Sequence, residues 1–326
     1  MKIIIFGGGG FLGNKLAIEL LKQGQLALNG DKPRQISRLM VFDKHIPRKF
    51  PEDERLEIIT GDICDKSVLQ TLLKEKPEVI FHLAAIVSGE AEKNFDLGME
   101  VNLQASWNML ELCRELEFSP IFVFASSCAV FGGDVSMPVE DMTASTPRSS
   151  YGTQKAIVDL LINDYSRRGF INGRALRLPT ITVRPGKPNA ATTSFVSGII
   201  REPLQGKNSQ CPVGEETPLW VLSPRKVIFN FIHAVGLRDT LLGDNRHINL
   251  PGLTVTVKDM VKSLEEVGGK EAVDRIDFTP DAFIQGIVLT FPPYFETQRA
   301  QNLGFLKDTS FTEIIEGFVE DELRRD

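Results

Sequence analysis

Tyr151 and Lys155 stand four residues apart in YGTQK, at the start of a stretch whose apolar spacing predicts a helix over Gly152–Arg167. Four residues is just over one helical turn, so both side chains project from one face. A free phenol titrates at about pH 10 and is a poor base near neutrality. An ammonium one turn away favours the phenolate, which can then take the proton of a hydroxyl while its carbon loses hydride. The chain has three tyrosines, and neither Tyr165 nor Tyr294 has lysine four residues on. Such pairs also decorate exposed helix faces, so context must decide. Upstream, VFASSCAVFGG sets Ser126 and Ser127 just beyond a predicted strand, Ile121–Ala125. Ser127 can steady the reacting oxygen, or else satisfy local backbone. Cys128 has no base near it in sequence and reads as a packing residue.

The elements that must position these groups alternate between two periodicities. Strands are predicted at Lys2–Phe6, Leu39–Phe42, Leu56–Thr60, Val79–Leu83, Ile121–Ala125 and Arg174–Leu178. Helices are predicted at Phe11–Lys22, Glu92–Leu116 and Gly152–Arg167, with Gln25–Gln35 as an inserted loop. This alternation predicts an α/β fold, a Rossmann-type doubly wound parallel sheet with helices on both faces. In such sheets ligands bind outside the carboxyl ends of the strands. Beyond residue 180 the pattern changes. Pro179–Pro218 is rich in proline, glycine, serine and threonine, with a short helix around Phe195–Arg201. A strand at Trp220–Leu222 follows, then helices near Lys226–Val235, Val257–Glu265 and Phe311–Glu322. The expected organisation is a nucleotide-binding domain over 1–180 and a smaller C-terminal substrate-binding cap over 181–326, part of 219–250 returning to the sheet.

Gly7, Gly10 and Gly13 give G-x-x-G-x-x-G directly between the first strand and the first helix; Gly8, Gly10 and Gly13 also satisfy G-x-G-x-x-G. Such a turn lets a pyrophosphate approach the main chain, and the helix start aims free N–H groups at it. Asp43 ends the second strand in LMVFD. A carboxylate there accepts hydrogen bonds from ribose hydroxyls and repels a 2′-phosphate, so the expected cofactor is NAD rather than NADP. Lys44, His45 and Arg48 follow closely and argue weakly the other way.

Composition narrows the rest. Over 326 residues the chain is 42% hydrophobic and 25% charged with a net charge of −6, which suits a globular protein and gives no reason to bind nucleic acid or anionic lipid. Four cysteines without a C-x-x-C pair suggest reduced thiols and a cytoplasmic location. The opening MKIIIFGGGGFLG lacks the long apolar run of a secretory leader, and no segment approaches the roughly 18 apolar residues of a spanning helix. The four histidines share no ligand-like spacing, so no metal is expected.

Taken in order, GGGGFLG, the strand-end Asp43, GDI at 61–63, HLAA at 82–85, Asn102, the serine strand and YGTQK resemble the extended short-chain dehydrogenases/reductases. That group contains nucleotide-sugar epimerases and dehydratases. The resemblance implies that Phe11 and Leu12 line the cofactor turn with the glycines, that Asp62 and Ile63 flank the adenine, and that Leu83, Ala84 and Ala85 line the cofactor. It implies that Asn102 braces the active-site backbone, that Tyr151 and Lys155 also touch the nicotinamide ribose, and that Pro179 lies against the nicotinamide. It further implies a homodimer built on the helices at Glu92–Leu116 and Gly152–Arg167, although Leu103, Met109, Leu110, Leu160, Leu161 and Ile162 could equally be core.

Within that group, residues 178–206 resemble a subgroup that oxidises C2 of a four-carbon sugar acid, D-erythronate, to the 2-oxo acid. Such a substrate needs a cation for its carboxylate and short polar groups for its hydroxyls. Arg184, Lys187 and Arg201 are the candidate cations; Asn189, Thr192, Thr193 and Ser194 are the candidate polar partners. Two rivals remain. A nucleotide-sugar epimerase or dehydratase would use the same Tyr–Lys pair and recruit Trp220 or Arg225 for base and diphosphate. A non-catalytic NAD sensor would have no use for a poised phenol.

Overall fold

A computed structural model describes residues 1–186 and 191–324. Its main sheet has seven strands: β1 (Lys2–Phe6), β2 (Arg38–Asp43), β3 (Leu56–Thr60), β4 (Val79–His82), β5 (Ile121–Ser127), β6 (Asn172–Leu178) and β7 (His247–Asn249). Numbering only these strands, their order across the sheet is β7-β6-β5-β4-β1-β2-β3. The pairs β1–β2, β1–β4, β2–β3 and β4–β5 are parallel. Sequence direction reverses at β1, which leaves a crevice between β1 and β4 at their carboxyl ends. Ile3, Ile4, Ile5 and Phe6 are all fully buried. That explains why β1 is an unbroken apolar run: a parallel sheet covered on both faces shows no polar alternation. At the β3 edge the cover fails and Ile58 is 47% exposed.

The chain divides into two compact units, and the division is less simple than a cut at residue 180. One unit comprises Met1–Val130, Ser149–Arg177 and Ile228–Ile248; the other comprises Phe131–Arg148, Leu178–Val227 and Asn249–Asp326. In the second unit Pro218–Leu222 pairs with Leu253–Thr256 and Thr180–Ile181 in a separate three-stranded sheet. Of the segment 219–250, His247–Asn249 is the strand that joins the main sheet.

Two expected elements are corrected. The single helix over Glu92–Leu116 is instead a broken series: Ser88–Lys93, Phe95–Gly98, a π-helical turn at Met99–Gln104, and Ala105–Glu115. Asn94 makes the break, leaving helical geometry at φ −125° while its side chain caps Leu97 N–H at 3.2 Å. Asparagine favours such caps over helix interiors because its side chain competes for the backbone. The inserted loop at Gln25–Gln35 contains a small antiparallel ribbon, Gln25–Leu26 against Arg34–Gln35.

Candidate active site

The glycine turn is shaped by the backbone that crowds it. Gly7 has φ +84°, and a side chain there would put its Cβ 2.5 Å from Ala84 N. Gly13 lets its helix, Phe11–Gln23, sit on the turn, since a Cβ would fall 2.3 Å from Gly7 O. Gly10 is different: a Cβ would meet only Gly7 O, at 3.2 Å. The chain therefore crowds Gly7 and Gly13 severely and Gly10, the residue before the helix, less so. No side chain caps that helix start. Its first N–H groups lack intrahelical acceptors, so the space beside Gly10 suits an anion.

Asp43, the last residue of β2, is held by main-chain donors. Its Oδ2 accepts from Gly9 N–H at 3.0 Å, and its Oδ1 accepts from Lys44 N–H at 2.7 Å. Gly9 was not anticipated; its place as the third of four consecutive glycines was its only sign. A Cβ there would fall 2.2 Å from His45 O. Lys44, which argued weakly for NADP, donates instead to Asp62 Oδ2 at 2.8 Å. That pairing holds the Asp62 carboxyl below its usual range. Arg48 and Lys15 lie 5.5 and 5.6 Å from the centroid of the half-buried Phe11 ring. Leu12 is half-buried beside it. Ile63 is 8% exposed and belongs to the apolar core with Phe42 and Leu69. Leu83, Ala84 and Ala85 follow β4, with Leu83 and Ala84 donating to Phe6 O across the crevice.

Behind these residues lies a buried polar network. Asn102, on the π-turn, accepts from Ile86 N–H at 2.8 Å, donates to Ile86 O at 3.1 Å and donates to Gln154 Oε1 at 2.7 Å. Ser106 Oγ donates to Asn102 O and meets His82 Nε2, both at 2.7 Å. Asn102 thus ties the chain after β4 to the helix that carries Tyr151. The π-turn puts the Asn102 carbonyl and side chain into this network; such turns recur at functional sites. Gln154 lies inside YGTQK, but no spacing rule singled it out.

That helix, Ser150–Arg167, is capped by Ser149 Oγ on Gly152 N–H at 3.1 Å. Lys155 is 1% exposed and donates to Ala125 O at 2.8 Å. Its Nζ lies 4.4 Å from the Phe124 ring centroid and 5.6 Å from that of Tyr151. Burial pushes the ammonium down to about 7, partly opposed by the charge of Asp159. Ser127 ends β5, its Oγ accepting from Ala129 N–H at 3.1 Å, while Ser126 Oγ is buried without a partner. Tyr151, Lys155 and Ser127 therefore all belong to one unit, at the carboxyl edge of the sheet. Burial drives the Cys128 thiol up to about 12, consistent with packing rather than reactivity.

The expected substrate residues separate. Arg201 is 3% exposed and is committed to Arg184 O at 2.6 Å and Glu202 Oε1 at 2.5 Å. These bonds brace the chain at the Arg184 carbonyl and leave Arg201 engaged internally. Arg184 N–H donates to Ser197 Oγ at 3.0 Å. Ser194 opens the helix Phe195–Leu204, and Thr192 Oγ1 is buried without a partner. Asn189 and Lys187 lie outside the described residues. Pro179 is buried directly after β6. Among the described residues no group of three His, Cys, Asp or Glu side chains could hold a metal, and no helix is long and apolar enough to cross a membrane.

A glycine turn at the crevice of a parallel sheet, with a Tyr–Lys helix behind it, defines a dinucleotide-dependent enzyme of the Rossmann type. Residues 3–237 match the model of the NAD dependent epimerase/dehydratase family, and the chain belongs to that family. NAD is its cofactor. It is 50% identical over 321 residues to D-erythronate dehydrogenase of Cupriavidus necator, covering 98% of both chains. It is 45% identical over 320 residues to D-erythronate dehydrogenase of Haemophilus influenzae, covering 98% of this chain and 99% of the other. A crystal structure described as the nucleoside-diphosphate-sugar epimerase from Agrobacterium tumefaciens superposes with TM-score 0.93 at 40% identity, covering 99% of this chain and 94% of that one.

Proposed function

We propose that the protein oxidises D-erythronate at C2 to 2-oxo-D-erythronate. The observation that carries this reading is the near full-length identity, 50% and 45%, to two relatives named for that activity. Bound NAD supplies the hydride acceptor. Gly7, Gly10 and Gly13 with the helix start at Phe11 and Leu12 hold the pyrophosphate, and Asp43 receives the ribose. Tyr151 takes the C2 hydroxyl proton as the C2–H bond breaks, leaving a C2 carbonyl. Ser127 donates to the reacting oxygen. Lys155, where charged, favours the phenolate and reaches the nicotinamide ribose. Arg184, Ser194 and Asn189 receive the substrate's carboxylate and hydroxyls.

The description of the Agrobacterium structure favours a second reading, interconversion of a nucleoside-diphosphate sugar. The residues expected to serve that substrate are already engaged. Trp220 is 8% exposed and stacks on Phe295 with centroids 5.2 Å apart. Arg225 pairs with Glu320 at 2.9 Å and Asp321 at 2.7 Å. Absorbance of reduced nicotinamide with NAD⁺ or NADP⁺ and a panel of D- and L-erythronate, threonate and UDP-sugars separates the readings. NADH from D-erythronate, abolished in Tyr151→Phe, is the expected result. Interconversion of a UDP-sugar without NADH would replace it.

The working form is a homodimer in the cytoplasm. Trp107, Ile157 and Leu160 are 45%, 36% and 65% exposed on the helices Ala105–Glu115 and Ser150–Arg167, an apolar surface suited to a second copy. Met109, Leu110 and Ile162 are instead core, and Leu103 and Leu161 pack against it. All four cysteines are free, which suits a reducing compartment. Light scattering tests the dimer, with Leu160→Glu expected to give monomer.

A further inference from the structure

The Tyr151–Lys155 pair continues along its helix to a third charged residue. Asp159 stands four residues beyond Lys155 and eight beyond Tyr151, so the three share one face. Its side chain is fully buried. Oδ2 accepts from Arg177 Nε, on β6, at 2.9 Å. His247, on β7, meets the Asp159 carbonyl through Nε2 at 2.8 Å and Arg177 through Nδ1 at 3.2 Å. Asp159 Oδ1 is buried with no hydrogen-bond partner. A buried carboxylate with an unshielded oxygen is costly unless a positive charge benefits from it.

We propose that Asp159 is a positioning residue for the acid–base pair: its carboxylate, tied down by Arg177, is the counter-charge against which the buried Lys155 ammonium is held. This rests on reading Tyr151 and Lys155 as that pair. Lys155 needs such a charge, because its one hydrogen bond goes to the neutral carbonyl of Ala125. The other groups around it do not supply one. On its own helix Tyr151 is the group to be activated. On β4 His82 is kept neutral, its pKa lowered by burial and by the Lys155 charge. β5 presents the Phe124 ring and the Ala125 carbonyl. Arg177 on β6 and His247 on β7 lie on Asp159. Asp159 is the charge that raises Lys155 against the effect of burial. Arg177 sets how much of that charge remains to act on Lys155.

Removing either partner should therefore move Lys155 in opposite directions. Asp159→Asn keeps the shape and removes the charge, so the Lys155 titration should fall by about one pH unit. Arg177→Gln leaves the carboxylate unshielded, so the titration should rise by a similar amount. Asp159→Glu should restore the wild-type value more closely than asparagine does. The readout is the lysine ¹³Cε chemical shift of the folded enzyme, with Lys155 assigned by Lys155→Met. It needs no substrate, so an error about D-erythronate would leave it unaffected. With substrate, the limb of the kcat–pH profile that Lys155→Met abolishes should move with the same signs. Opposite shifts in the two variants establish the role. Shifts of the same sign, a Lys155 titration unmoved in both, or loss of the fold in both would assign Asp159 to stability alone and overturn the proposal.

Discussion

The turn at 7–13 and the segments at 182–186 and 191–202 are built from different materials. In the turn, main-chain atoms make the shape. Gly7 and Gly8 N–H both donate to Phe42 O, and Asp43 is gripped by the N–H groups of Gly9 and Lys44. In the segments, side chains tie together backbone that the helix Phe195–Leu204 and its main-chain bonds already shape. Arg201 reaches Arg184 O, Ser197 Oγ receives Arg184 N–H, and Thr182 Oγ1 donates to Val196 O at 3.2 Å. A main-chain shape depends on which residues lack a side chain, and glycine spacing reports that directly. A side-chain shape depends on which of several arginines and serines are used internally, and their order along the chain does not report it.

Substitutions can break this contrast. The largest effect should come from Gly7→Val, which adds a Cβ 2.5 Å from Ala84 N at a left-handed backbone position. We expect about 4 kcal/mol of destabilisation and at least a hundredfold loss of NAD affinity by calorimetry. Retained NAD binding would show that the turn is not made by close main-chain approach.

Next is Lys155→Met, which probes a side chain held against its own desolvation. The Lys155 pKa is pushed down to about 7 in the folded chain, against 10.5 for a free lysine. Between these values the unfolded chain binds more protons, so stability rises with pH across that window. From pH 7 to 9 this contributes about 2 kcal/mol, and the methionine variant should lose that pH dependence in denaturant titrations at both pH values. An unchanged slope would mean that Lys155 keeps an ordinary affinity for its proton.

Arg201→Ala should cost about 1–2 kcal/mol by leaving Glu202 and the Arg184 carbonyl without their donor, while changing KM less than about threefold. A hundredfold rise in KM with unchanged Tm would return Arg201 to the substrate. Arg225→Ala should have the smallest effect. Its ion pairs with Glu320 and Asp321 are about half exposed, so roughly 0.5 kcal/mol or less is expected and no change in kcat/KM.

Most of the glycine turn and of the helix that carries Tyr151 was legible because short-range rules govern them. The apolar run of β1, the glycines after it, the carboxylate ending β2 and the Tyr–Lys spacing each follow from local geometry. The Glu92–Leu116 pattern was misleading because helical periodicity survives across the break at Asn94 and the π-turn that carries Asn102. Asp159 and Arg177 are 18 residues apart, on a helix and a strand, and nothing in either segment marks them as partners.

The sequence by itself determined the fold class, the glycine turn at 7–13, the Tyr151–Lys155 spacing and the likeness of residues 178–206 to a sugar-acid dehydrogenase. Each of these rests on residues close together along the chain, where spacing translates directly into direction. Only the tertiary structure decided that Arg201 and Trp220 are internal, that Lys44 turns to Asp62, and that His247–Asn249 joins the main sheet. The reason is physical: a charged or polar group takes whichever partner the folded chain brings within reach, and burial determines how strongly the two interact.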